Sequence, residues 1–224
     1  MQRNILRKFN SYVILCFILF ISINLSEAIA GGKAGGYGIY MIPQGEDAEN
    51  FSRPGWGFGL HVVVPVPQLV NILAGTAGFE YINLLEKSIE LQDPTTMLLV
   101  DQVTSQDYIR FFIGAQIRKH GNSFFRPHAG MNLALIIYSI YTDLIVPNSG
   151  GGEDIVQNVS NESNVVFGYD ITLGIDLNFS NELALDGGIR YLKTFSVPQQ
   201  LGEGSEKIHP QYFQIYLGIG WGFN

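Results

Sequence analysis

The chain of 224 residues holds a single cysteine, Cys16, in an apolar stretch near its N-terminus. Disulfides within the chain are therefore excluded, and beyond residue 30 cysteine catalysis is excluded too. No apolar run past residue 30 approaches the roughly 18 residues that a membrane-crossing helix requires. If the chain spans a membrane, it must do so as a closed barrel, because only helices and closed barrels pair every backbone group within a bilayer. Charge is also sparse, at 15% of residues, and bases are fewer than acids, 13 against 20. That balance disfavours nucleic acid and other polyanions as partners. A hydrophobic fraction of 46% argues against disorder and fits one domain with a large buried surface.

The first thirty residues have the three parts of a secretory signal. Arg3, Arg7 and Lys8 form a positive n-region, "YVILCFILFISI" (12–23) an apolar core, and "AIA" (28–30) a small-residue cleavage site. Twelve apolar residues are too few to cross about 30 Å of hydrocarbon as a helix. Residues 1–30 are thus expected to be removed and the mature chain to begin at Gly31. Leu15, immediately before Cys16, does not suit a lipoprotein site.

What the chain has in abundance is alternation. In "VVFGYDITLGIDLNF" (165–179) one face carries Val165, Phe167, Tyr169, Ile171, Leu173, Ile175, Leu177 and Phe179, and the other carries glycines, Asp170 and Asp176. A strand of this length reaches about 50 Å at roughly 3.3 Å per residue, which is enough to cross a tilted barrel wall and project beyond it. The same pattern recurs in "WGFGLHVVV", "YIRFFIGAQIR", "FRPHAGMNLALI", "LALDGGIRY" and "YFQIYLGIGWGFN", and more weakly near 36–43 and 73–84. Eight strands are expected. Three of their connections are short (65–72, 119–123 and 180–182) and four are long and turn-rich (44–54, 85–107, 142–164 and 196–210). Short turns and both termini at one rim, with long loops at the other, predict an all-β, eight-stranded antiparallel up-and-down transmembrane barrel over residues 31–224. Aromatic residues at strand ends supply girdles: Phe125, Phe179, Trp221 and Phe223 at the short rim, and Trp56, Phe58, Phe167, Tyr169, Tyr191 and Phe213 at the other.

Parity places four acids, Glu80, Asp170, Asp176 and Asp186, and four bases, Arg110, Arg118, Arg126 and Arg190, on the inner face. An eight-stranded lumen has room only for its own side chains. These charges are therefore expected to pair as a structural network, since burial without a partner is costly. Without Arg3, Arg7, Lys8 and Glu27 the chain keeps 10 bases and 19 acids, a net of −9. The four long loops hold 14 of those acids against Arg53, Lys87 and Lys207, a net of −11. Such loops suit divalent cations or basic surface ligands.

No motif carries recognisable chemistry. "GGG" (150–152) lies in a loop without the lysine of a phosphate-binding motif, and "NVS" and "NES" match only a weak glycosylation pattern. His61, His120, His128 and His209 lack metal-ligand spacing in the chain, and His61 and His128 face inward, where they can join the polar network. No catalytic residue, metal ligand or cofactor is expected.

Alternation, loop asymmetry and the terminal strand "QIYLGIGWGFN" together resemble the small outer-membrane barrels, the OmpA-like and OmpX-like eight-stranded domains, over residues 31–224. The resemblance implies a monomer in the outer membrane, surrounded by membrane lipids and lipopolysaccharide. It also implies a structural or surface-interaction role, with any surface ligand held by the extracellular loops. Family members commonly end in phenylalanine, read by the barrel-assembly machinery; here Phe223 is followed by Asn224. Two alternatives stand beside this reading. A lipid-modifying enzyme of the small-barrel type would want a histidine and a serine on a lipid-facing surface, and His128 points inward. A soluble carrier of lipocalin type would want an apolar lumen, which the inward arginines and aspartates oppose.

Overall fold

The computed structural model describes residues 32–49, 52–66, 72–92, 99–118, 123–146, 154–180, 182–195, 197–201 and 204–222. The expected signal segment, its cleavage point before Gly31, and Phe223 lie outside them. Eight long strands close into one antiparallel barrel. They are β1 (Lys33–Gln44), β2 (Gly55–Pro65), β3 (Leu73–Gln92), β4 (Leu99–Arg118), β5 (Phe125–Val146), β6 (Ile155–Asn178), β7 (Leu183–Thr194) and β10 (Gln211–Gly222). Each pairs with its neighbours in chain order, and β1 closes the ring against β10, with Lys33 opposite Gly222. That pairing puts both ends of the barrel at the rim of the short connections. The expected strand count and architecture are the observed ones.

Alternation sets which side chains face out. Along β4, Arg110, Phe112, Gln116 and Arg118 are buried while Ile113 and Ile117 are exposed. Along β10, Tyr212, Gln214 and Tyr216 are buried while Ile215, Leu217, Ile219 and Trp221 are exposed. Water would penalise that outer surface, whereas hydrocarbon favours it, so this wall is a membrane-spanning one. Phe125, Phe179 and Trp221 stand exposed toward the short rim, and Trp56, Phe58, Phe167 and Tyr191 toward the opposite one. Ring pairs tie neighbouring strands at both levels, Phe124 with Phe179 at 6.0 Å and Tyr40 with Trp56 at 4.4 Å.

At the far rim the structure departs from the expected loops. Residues 85–92, 99–107, 142–146 and 155–164 are strand. The β3–β4 ladder continues to Gln92 opposite Leu99, and the β5–β6 ladder to Val146 opposite Ile155. Between them, β4 and β5 pair as far as Asp101 opposite Ile145, so the four strands rise together as one sheet above the wall. A register shift between Leu84 and Lys87 in β3 and another at Thr142 and Asp143 in β5 mark where it leaves the barrel. The other two connections also hold structure. A single helical turn, α1 (Glu46–Glu49), follows Gly45, whose φ of 76° needs a residue without a Cβ. Its carbonyl accepts from the Glu49 amide at 2.9 Å. A small hairpin of β8 (Val197–Leu201) and β9 (Gly204–Ile208) fills the last connection.

Candidate functional site

The lumen is the part of the molecule where chemistry-bearing side chains converge, and strand register sorts them into three tiers. At mid-height, Glu80 of β3 faces Arg110 of β4 across the ladder, and Asp170 of β6 and Arg190 of β7 reach the same centre. Arg110 Nη1 donates to Glu80 Oε2 at 2.8 Å, and its Nη2 meets Asp170. Arg190 bonds Glu80 through Nη1, and its Nε donates to Thr172 Oγ1 at 3.0 Å while lying 3.4 Å from Asp170 Oδ1. The Tyr37 hydroxyl donates to Glu80 Oε1 at 2.7 Å, and Asn132 Nδ2 to Asp170 Oδ1 at 2.8 Å. Both guanidinium groups also lie over Phe112, at 4.5 and 5.3 Å from the ring centre. Two acids and two bases thus share one interlocked cluster with all four side chains buried.

Nearer the short rim, Asp176 of β6 is held by Lys33 on one oxygen and by Arg118 on the other. Asp186 of β7 lies 3.4 Å from Lys33 Nζ. Arg126 sits at the rim and donates to Asn178 Oδ1. Of the eight residues expected to form the network, the structure therefore brings Glu80, Arg110, Asp170 and Arg190 into one cluster and Arg118 and Asp176 into another. Asp186 joins the second cluster through Lys33, and Arg126 bonds an amide. Lys33 lies outside the sequence reading because the alternation is weak at the first strand and places its start near 36. Its parity with Tyr37, Ile39 and Met41, all inward, is the signal that extends the strand and finds it.

The uppermost tier is a second feature that the sequence reading does not contain. Ile39, Met41, Ile82, Leu84, Ile136 and Leu192 point inward and are fully buried, together with Tyr108 and Tyr212. Tyr108 packs edge-on against Tyr138 and Tyr212, with ring centres 6.2 and 5.6 Å away, and the Tyr138 hydroxyl donates to Gln106 Oε1 at 2.7 Å. The lumen is therefore charged in its middle and lower parts and apolar beneath the projecting sheet. Ile82 and Leu84 share the face of Glu80, so parity alone places them inside, but their apolar character disguises the alternation there.

A closed eight-stranded barrel with an apolar outer belt and a lumen crossed by buried charges has the fold of the small outer-membrane β-barrels. Among solved structures, Neisserial surface protein A is similar over 86% of this chain and 97% of that one, with a TM-score of 0.52 and 14% identity. A major outer-membrane protein of Thermus thermophilus (TM-score 0.48, 11% identity) is matched over 87% of this chain and all of that one. OprG of Pseudomonas aeruginosa (TM-score 0.47, 11% identity) is matched over 88% and 97%. No family model matches the sequence, and no curated protein matches it. At these identities the first likeness speaks for the fold, and function must be argued from this chain's own residues.

Proposed function

We propose that this protein is a monomeric outer-membrane scaffold, closed to solutes, that presents the sheet formed by the upper halves of β3–β6 for contact with surface partners. The observation that carries the reading is the buried cluster of Glu80, Arg110, Asp170 and Arg190 spanning the lumen. A solute could pass only by separating charges that have no bulk water to replace their partners. Above the cluster the tier of Ile39, Met41, Ile82, Leu84 and Tyr212 adds an apolar stopper. Membrane lipid and lipopolysaccharide surround the wall, and the barrel-assembly machinery inserts it. The four clustered charges are structural in this reading, as are Arg118 and Asp176 below them, with Arg126 and Asp186 completing the set.

The same residues weigh against the other two roles. Among the described residues, His61 and His128 lie inside the barrel, away from the outer face where a lipid-modifying site would meet its substrate. A soluble carrier would hold its apolar surface inside, whereas Leu60, Ile113, Leu133 and Leu217 lie outside. Planar-bilayer recording of the purified barrel tests closure: no stable conductance steps are expected, and large ones would overturn the reading. The presenting role is tested by joining Tyr141 to Asn161, which are cross-strand partners, through a short turn that replaces residues 142–160. The shortened chain should keep the faster electrophoretic migration of an unboiled barrel and lose whatever surface adhesion the full chain shows. Loss of barrel assembly would make the projecting sheet part of the folded core.

A further inference from the structure

The outer face of the wall is almost free of base. Below the register shifts, the described bases Lys33, Arg110, Arg118 and Arg190 are buried in the lumen, and Arg126 bonds Asn178 at the short rim. Lys193 is the exception. It lies between the buried Leu192 and Thr194, so alternation puts it on the face of the exposed Ile189 and Tyr191. It is half-buried and forms no ion pair among the described residues. Its height follows from strand length. β7 has 12 residues, and Lys193 is its last but one. A tilted strand needs about 9–11 residues to cross the hydrocarbon, so Lys193 stands at the far edge of the belt, and its long stem carries the ammonium to the level of the lipid headgroups.

We propose that the outer face around Lys193 and Gln211 is a binding site for the phosphate of an outer-leaflet lipid, a phosphorylated glycolipid such as the lipid anchor of lipopolysaccharide. In register, Lys193 has Gln211 of β10 on one side and Tyr169 of β6 on the other. Gln211 accepts from the Tyr191 hydroxyl through Oε1, which leaves its amide nitrogen to donate. An ammonium and an amide on adjacent strands thus offer donors to one anion. The rings of Tyr169 and Phe195, 6.0 Å apart, bound the β6 side. There the wall forms a step, because β7 ends at Thr194 opposite Gly168 while β6 extends on to Ile155.

Charge and apolar surface both select this occupant. A base at the border of hydrocarbon gives up part of its hydration and gains from a counter-ion. The described residues supply none, whereas phosphates are the anions that a lipid holds at that depth, and lysine serves them as a point charge. Directly beneath lie Ile171, Ile189 and Ile215, exposed on β6, β7 and β10, where acyl chains of the same molecule would run. Elsewhere on the outer rim the acidic connections repel an anionic lipid. On the β3–β4 side the outward Asp107 stands at the upper edge of the belt, holding Tyr81 and Asn83 at 3.0 and 2.9 Å. The site rests on the wall's place in the outer membrane, and neither the closed lumen nor the presenting role of the sheet enters into it.

The test uses tag-free protein extracted from membranes in detergent, freed of lipid and titrated with phosphorylated lipid A, with the same lipid after removal of its phosphates, and with inorganic phosphate. Native mass spectrometry counts what each chain retains. One lipid A per chain is expected, held at least about 10-fold more tightly than its dephosphorylated form, the order of one hydrogen bond to a charged group. Lys193→Gln should abolish that preference and Lys193→Arg should keep it. Arg53→Gln, at an exposed base outside the strands, should leave it unchanged. Equal binding of the two lipid forms would overturn the proposal, as would a preference that survives Lys193→Gln. An equal loss with Arg53→Gln would also overturn it, since total charge alone would then attract the lipid. Displacement of the lipid by millimolar inorganic phosphate would overturn the lipid assignment in favour of a free anion. Should Lys193→Gln lose the unboiled barrel's migration, the two lipid forms on the wild-type chain still decide the matter.

Discussion

The lower and upper halves of β5 and β6 belong to the same two strands and keep one antiparallel ladder, yet only the lower halves alternate between buried and exposed. From Phe125 to Ile136, and from Val165 to Asn178 on its partner, buried and exposed positions alternate. Above Tyr141 and below Val165 the alternation stops, and residues 154–159 are exposed on both faces. In the wall, side chains decide the fold, because one face must meet lipid and the other a packed lumen. In the projecting sheet the backbone hydrogen bonds persist without a core to cover. Exposure alone does not tell the two apart: Leu133 in the wall and Val156 in the sheet are 61 and 62% exposed. In the proposed reading, what differs is the medium they are exposed to.

That contrast also explains how much is legible in the sequence. Wall strands announce themselves because two solvents impose a period of two on every residue. All eight strands, their order and the inward parity of the eight charged residues follow from it. "IVQNVSNESN" (155–164) obeys no such demand, and its serines and asparagines read as turn residues, so the sequence presents it as loop. The apolar upper tier is obscured for a related reason: Ile39, Met41 and Leu192 interrupt the polar character of the inner face. Which inward charges meet which is beyond reach, since Arg190 finds Glu80 across the lumen rather than along any ladder.

The largest effect is expected inside the wall. Arg110→Ala would leave Glu80 with Arg190 and strip Asp170 of its closest cation, both in full burial. Breaking a buried pair from one side typically costs about 3–5 kcal/mol. Urea unfolding of the barrel in lipid vesicles measures it. A loss below about 1 kcal/mol, well short of that typical cost, would mean that water reaches the cluster and that the lumen is open.

Next comes the wall's outer face. Leu133→Arg puts a charge on the lipid-facing belt, where a base near the midplane costs about 2–4 kcal/mol. The same unfolding assay should show that loss, without any change in the lumen contacts. If the variant is as stable as the parent, Leu133 does not face hydrocarbon, and the belt has been misplaced along the barrel axis.

The smallest effect is the sharpest test of the comparison. Val156→Arg makes the same kind of change at a position of matching exposure, but on the projecting sheet, opposite Ile145. If that sheet stands in water, the arginine stays hydrated, no buried neighbour is displaced, and the ladder to β5 needs only the backbone. Surface substitutions of this sort shift stability by no more than about 0.5 kcal/mol. Leu133→Arg and Val156→Arg should therefore differ by several-fold in urea sensitivity despite nearly equal exposure. A comparable loss at both would mean that lipid or another chain covers the upper half of β6, and that the sheet is part of the wall.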